Sequence, residues 1–279
     1  MPEPVGLIAG AGRFPIEIAR AAHLSGLRVV TVAIRELADP ELEAEADCHW
    51  LHLGELDSLL RILRESGVRR CVMAGKVPKT FLYQPGRALR PDARALRLLR
   101  DLSDRSDDSI LLALAGLLES EGFVLERQAN FTPELLAPEG PLGRLAPEPL
   151  HWQEIRFGWP IARALGRLDV GQSVVVRQRA VMALEAIEGT DEAIRRGGAL
   201  GGPGACVVKV AKPSQDLRFD MPTIGVTTIE TLAEVKAAVL AVEAGVTVVL
   251  GQREVVAAAD AAGIPVVGVP SSGPRAEST

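Results

Sequence analysis

The segment Gln215-Asp216-Leu217-Arg218-Phe219-Asp220-Met221-Pro222 holds the densest group of side chains able to do chemistry together. Read as an extended strand, its period of two puts Asp216, Arg218 and Asp220 on one face and Leu217, Phe219 and Met221 on the other. Two carboxylates so spaced can hold a hard cation such as Mg²⁺, and the arginine between them can clamp a phosphate through paired N–H donors. Attack of water on a phosphoanhydride needs that set: a Lewis acid, a charge clamp and a carboxylate to orient or deprotonate the water. Spacing alone allows a plainer alternative, an exposed strand face whose charges neutralise one another.

A second candidate is Gly10-Ala11-Gly12, which follows the strand-like Val5-Gly6-Leu7-Ile8-Ala9 and precedes an apolar-periodic helix through Ile16, Ala19, Ala22 and Leu24. Glycines there let backbone N–H groups approach an anion at a helix start. A dinucleotide fingerprint would place a third glycine three positions after Gly12, where this chain has Pro15. The second strand ends in Arg35-Glu36 instead of a single clear carboxylate for a ribose. The site is read as a phosphate turn, with a simple tight βα turn as the bland alternative. Gly75-Lys76 follows the fourth strand on the same carboxyl edge, where open α/β sheets bind ligands, so Lys76 is a phosphate candidate.

In the second half, Glu185-Ala186-Ile187-Glu188-Gly189-Thr190-Asp191 ends a strand in an acidic turn. Thr190 and Asp191 there can meet a ribose, an amide or a metal, although Asp191 can equally cap a helix. Lys209 and Lys212 flank the end of another strand and can reach the same place, or be solvated.

These residues need elements to position them. Leu27 to Ile34, Cys48 to Leu53 and Arg70 to Ala74 read as further strands and Leu56 to Glu65 as a helix, an alternation that implies a parallel, doubly wound sheet. Helices are expected around Gly86 to Leu102 and from Ser106-Asp107-Asp108 through Leu118. Five prolines and two glycines between Thr132 and Pro149 read as a linker. Beyond it, Ser173 to Arg177, Val181 to Ile187 and Cys206 to Ala211 read as strands. Then follow a strand at Pro222 to Val226, a helix from Thr228 to Glu243, a strand at Thr247 to Leu250, a helix from Arg253 to Ala262 and a strand at Pro265 to Val269. The expected architecture is α/β: a Rossmann-like parallel-sheet domain (1–131), a Pro-rich linker (132–149) and a C-terminal α/β catalytic domain (150–279), with the ligand in a cleft between the domains.

Composition narrows the function. With 31 basic and 36 acidic residues the net charge is -5, which gives no global attraction to nucleic acid, so an anion must be bound locally. Hydrophobic residues make up 47% but aromatics only 4%, an aliphatic α/β profile. Cys48, Cys71 and Cys206 are scattered singly and read as reduced core thiols. No signal-peptide pattern opens the chain, and the longest apolar run, Ile110 to Leu118, is too short to span a bilayer, so a cytoplasmic protein is expected. His49 and His52 lie three apart in a strand and point to opposite faces, which argues against joint metal ligation. Arg87, Arg90, Arg94 and Arg97 share one helix side, a solvated basic face or, with Phe81-Leu82-Tyr83, a lipid-headgroup contact.

Taken together, several segments resemble the UDP-2,3-diacylglucosamine pyrophosphatases of lipid A synthesis, of the type unrelated to calcineurin-like metallophosphatases. They are Gly6 to Gly12 with Pro15, Asp107-Asp108, Leu168 to Val175, Glu185 to Asp191 and Gln215 to Gly225. The resemblance spans nearly the whole chain and implies Mg²⁺-dependent hydrolysis of the substrate pyrophosphate, releasing UMP and 2,3-diacylglucosamine 1-phosphate. It implies Asp220 as the essential aspartate, whereas Asp216 and Arg218 beside it, and Asp216 with Asp220 as metal ligands, are read from the spacing alone. The substrate-contacting set read from the residues is Gly10, Ala11, Gly12, Arg13, Phe14, Gly75, Lys76, Thr190, Asp191, Lys209 and Lys212, to which the resembling segment Leu168 to Val175 adds Gln172. The resemblance also implies peripheral contact with the inner membrane and a homodimer. Where the family has a basic residue soon after the glycine-lysine pair, Val77-Pro78 here precedes Lys79. The competing readings are an NAD(P)-dependent oxidoreductase, opposed by Pro15, and a non-catalytic nucleotide-sugar-binding protein.

Overall fold

The computed structural model describes residues 3–77, 90–102, 107–213 and 215–275. The chain divides into two compact units, Met1–Pro133 and Glu134–Thr279.

In the first unit, β1 (Val5–Ala9), β2 (Val29–Ile34), β3 (Asp47–Leu51), β4 (Arg70–Ala74) and β5 (Val124–Leu125) form one parallel sheet in the order β3-β2-β1-β4-β5. β1 is buried along its whole length, so both sheet faces must be covered. Helix α1 (Phe14–Leu24) contributes Ile16, Ile18, Ala19 and Ala22 to that cover. Helix α2 (Leu56–Glu65) adds Leu59, Leu60, Ile62 and Leu63. Gly6 admits α2 closely, since a Cβ there would lie 2.8 Å from Leu63. The strand order reverses between β1 and β4, which places Gly10 and Gly75 at the topological switch point. Helices α3 (Ala93–Asp101) and α4 (Asp107–Ser120) complete the described part of the unit.

The second unit is built on a six-stranded sheet in the order β6-β13-β11-β9-β7-β8. Its strands are β6 (Gly140–Pro141), β7 (Ser173–Arg177), β8 (Ala180–Leu184), β9 (Cys206–Lys209), β11 (Val239–Glu243) and β13 (Val266–Val269). The middle strands β9, β11 and β13 run parallel, while β6, β7 and β8 are antiparallel to their neighbours. Alternation along the strands divides two cores. Val174, Val176 and Val208 pack with Ile155, Trp159 and Ala162 of α5 (Pro149–Arg167). On the other face, Val175, Val207 and Leu240 meet Ile194 of α6 (Thr190–Gly201), Leu232 of α7 (Val226–Glu234) and Val255 of α8 (Gln252–Ala262). A parallel pair, β10 (Thr223–Ile224) and β12 (Val248–Val249), stands apart.

Two expectations are corrected here. The helix expected over 228–243 stops at Glu234, and Val239–Glu243 is instead a wholly buried central strand. Lys236, at φ 53, turns the chain out of the helix. A short apolar run reads equally well as buried helix or buried strand, and here the strand prevails. The stretch expected as a linker belongs in large part to the second unit: Ala137 is core, Leu136 bridges Val248, and Gly140–Pro141 pairs with β13.

Candidate functional site

At the switch point of the first sheet the two glycine turns are bonded to each other. Gly10 donates to the Ala74 carbonyl at 2.8 Å, Ala11 donates to Lys76 at 2.8 Å and Lys76 donates back to Ala11 at 2.9 Å. A Cβ on Gly10 would lie 2.8 Å from the Lys76 carbonyl oxygen, and one on Gly75 would lie 2.7 Å from Gly10. These glycines are therefore required by backbone approach. The expectation that Gly10 and Ala11 offer N–H groups to an anion does not hold in this arrangement, because both already donate to the backbone. What stays open is the start of α1, where no side chain caps the helix and Pro15 occupies the first turn. The N–H groups of Gly12, Arg13 and Phe14 lie there, before the first intrahelical partners. The Phe14 side chain is 7% exposed and packs as core, so it presents only backbone. Lys76 is exposed, and Arg13 meets Glu17 at 3.3 Å.

On the same edge Glu36, the residue weighed for a ribose, accepts from His52 Nδ1, which explains that histidine without a metal. His49 lies 3.8 Å from Asp47. Of the arginine stripe, Arg94 is engaged by Asp57 and Glu121, and Arg87, like Phe81-Leu82-Tyr83 and Lys79, lies outside the described residues. Asp107 and Asp108 open α4, and their side chains also lie outside the described residues.

In the second unit the candidates gather at the carboxyl end of β9. Lys209, 5% exposed, donates to the Thr190 hydroxyl at 2.7 Å, and Thr190 donates to Glu185 Oε1 at 2.9 Å. Glu185 Oε2 accepts from the Gln172 backbone at 3.4 Å. Lys212 reaches Asp169 at 2.8 Å and its backbone N–H donates to Gln215 Oε1 at 3.1 Å. Gln172 Oε1, Ser173 Oγ, Asp191 Oδ1 and Gln215 Nε2 are buried without a hydrogen-bond partner. Buried polar atoms are nearly always satisfied, so this cluster is arranged for a ligand, an ion or water.

The segment 215–221 is not the alternating strand that spacing suggests. The Phe219 and Asp220 N–H groups both donate to the Asp216 carbonyl, at 3.2 and 2.9 Å, which closes a tight turn. Asp216 Oδ1 accepts from the Arg218 backbone at 3.0 Å, and Arg218 Nε and Nη2 grip the same carboxylate at 2.6 to 3.0 Å. An Asp side chain bonding the backbone two residues on competes with extended structure. Asp216 thereby anchors Arg218. Among the described residues no group of three or more His, Cys, Asp or Glu is placed to hold a metal ion.

Two residues escaped the sequence reading. Glu185 was seen as part of an acidic turn but not as the partner of Thr190. Glu243, 2% exposed at the end of β11, accepts from Arg163 at 3.1 Å and from the Ala211 N–H at 2.8 Å, and so fixes the chain between β9 and the 215–221 turn. The only signal for it was a carboxylate ending an apolar run. Burial pushes the Cys71 thiol up to about 12 and raises those of Cys48 and Cys206, which disfavours the thiolate at each.

Comparison with known proteins covers both halves. The family described as LpxI N-terminal domain matches residues 4–135, and the LpxI C-terminal domain matches residues 138–267. A curated relative, the UDP-2,3-diacylglucosamine pyrophosphatase LpxI of Caulobacter vibrioides, is 36% identical over 278 residues, covering 95% of this chain and 97% of the relative.

Proposed function

Because this chain belongs to the LpxI family, we propose that it hydrolyses the pyrophosphate of UDP-2,3-diacylglucosamine to UMP and 2,3-diacylglucosamine 1-phosphate, a step of lipid A synthesis. The observation that carries the reading is the match along both halves to a relative named as a UDP-2,3-diacylglucosamine pyrophosphatase. The cluster at the end of β9 adds chemical support, because it combines a buried cation, Lys209, with unpartnered oxygens.

Described by itself, the first unit offers an anion-binding feature in this reading: the N–H groups of Gly12, Arg13 and Phe14 at the start of α1, with Lys76 as a nearby charge. Within the second unit, Lys209, Lys212 and Arg218, whose guanidinium is held by Asp216, supply positive charge that offsets the charge developing on phosphate oxygens. Asp220 orients and deprotonates the attacking water. The water oxygen bonds to the β phosphorus, the bond from that phosphorus to the bridging oxygen breaks, and UMP leaves with the bridging oxygen.

The reaction is proposed to use Mg²⁺, which would supply Lewis acidity toward the phosphate oxygens. The donor set fits a hard cation: Mg²⁺ takes one or two carboxylates and completes its shell with water and phosphate. Asp220 and the buried, unpartnered Asp191 Oδ1 are the carboxylates proposed for it.

Hydrolysis in heavy-oxygen water followed by mass spectrometry tests this account. UMP and the lipid 1-phosphate are expected, with label in the lipid phosphate, and EDTA should stop turnover until Mg²⁺ is restored. Label in UMP would overturn the β assignment, and no UMP at all would overturn the function.

A further inference from the structure

Lys209, Thr190 and Glu185 come from three different places: the last residue of β9, the first of α6 and the turn after β8. An ammonium only donates and a carboxylate only accepts, so the Thr190 hydroxyl must accept from Lys209 and donate to Glu185. The chain therefore has one possible proton order. Both ends are buried, Lys209 at 5% and Glu185 at 7% exposure, and buried charges persist only when compensated.

Glu185 is itself locked. Gly171 packs so tightly that a Cβ there would overlap the Glu185 carbonyl oxygen, and the Arg196 guanidinium ties down the Leu184 carbonyl at 2.7 Å. At the other end, Ser173 stands opposite Lys209 in the β7–β9 ladder. Its hydroxyl, with Gln172 Oε1 and Asp191 Oδ1, is buried and without a partner. A carboxylate on a fixed backbone thus lies behind the lysine, and unsatisfied polar atoms belong to its strand partner Ser173, to Gln172 beside that serine and to Asp191 beside Thr190.

We infer that Glu185 is a positioning residue that, through Thr190, fixes Lys209 as the charged group receiving the phosphate oxygens of the ligand. The inference rests on the pyrophosphatase reading for the identity of that ligand. Glu185 touches no reacting atom, and its effect is confined to where the Lys209 ammonium sits and to its charge.

The test is a double-mutant cycle read by calorimetric binding of inorganic pyrophosphate to the full-length protein. E185Q and K209M are each expected to weaken pyrophosphate binding by about tenfold. The double variant should bind no more weakly than K209M alone, since Glu185 has nothing left to position. Should E185Q fail to fold, the cycle is run with E185D, whose shorter carboxylate withdraws from Thr190, and the same non-additivity is expected. Additive losses, an unchanged affinity in the Glu185 variant, or a wild-type protein that binds no pyrophosphate would overturn the inference. A wild-type protein that binds pyrophosphate yet releases no UMP from UDP-2,3-diacylglucosamine would instead overturn the proposed reaction and leave this assignment standing.

Discussion

The Glu243 carboxylate ends a wholly buried strand and accepts from both Arg163 and the Ala211 N–H. Removing it leaves a half-buried guanidinium without its partner and an orphaned buried N–H, losses that together cost about 3 kcal/mol. Glu243→Ala is therefore expected to lower the urea midpoint markedly, and an unchanged midpoint would refute this role. At this scale the sequence was only partly legible. Residue types at 216, 218 and 220 pointed to carboxylate and guanidinium chemistry, but their geometry did not follow from a period of two. Asp216 bonds the Arg218 backbone locally, and that turn prevails over the strand. The Glu185 and Glu243 contacts were invisible because their partners lie 5 to 80 residues away.

Elements read more clearly than contacts. The βαβ alternation of the first unit, the helix Leu56–Glu65 and the strand Arg70–Ala74 follow directly from periodicity and glycine punctuation. Pro15 sits in the first turn of α1, where its missing N–H costs nothing. Val239–Glu243 was misread because a fully buried strand carries no alternation. The glycine turns permit a comparison. Gly12 has φ +98 with open space at its Cβ, whereas Gly75 has φ +90 and a Cβ would strike the Gly10 and Ala11 backbones. Gly12→Ala is expected to cost about 1 to 2 kcal/mol from backbone conformation alone. Gly75→Ala should cost roughly twice that because steric overlap is added. Thermal melts that rank the two in the opposite order would contradict the proposed close approach of the turns.

At the scale of the whole molecule the chain is two α/β units, each with its own sheet and core. That class was legible from aliphatic composition and strand–helix alternation. Among the described residues no helix is long and apolar enough to cross a membrane. A net charge of -5 gives no global attraction to a polyanion, so any anion must be met by local groups. The match to the LpxI family adds what neither composition nor geometry supplies, a relative named for a diphosphate substrate with a lipid end. The glycine turn, read alone, would have served an oxidoreductase equally well.

The proposed chemistry converges on Asp220, and its removal is the most direct test. Asp220→Ala should abolish UMP release from UDP-2,3-diacylglucosamine while substrate affinity, measured by calorimetry on the same preparation, stays largely intact. Full turnover in that variant would contradict the account.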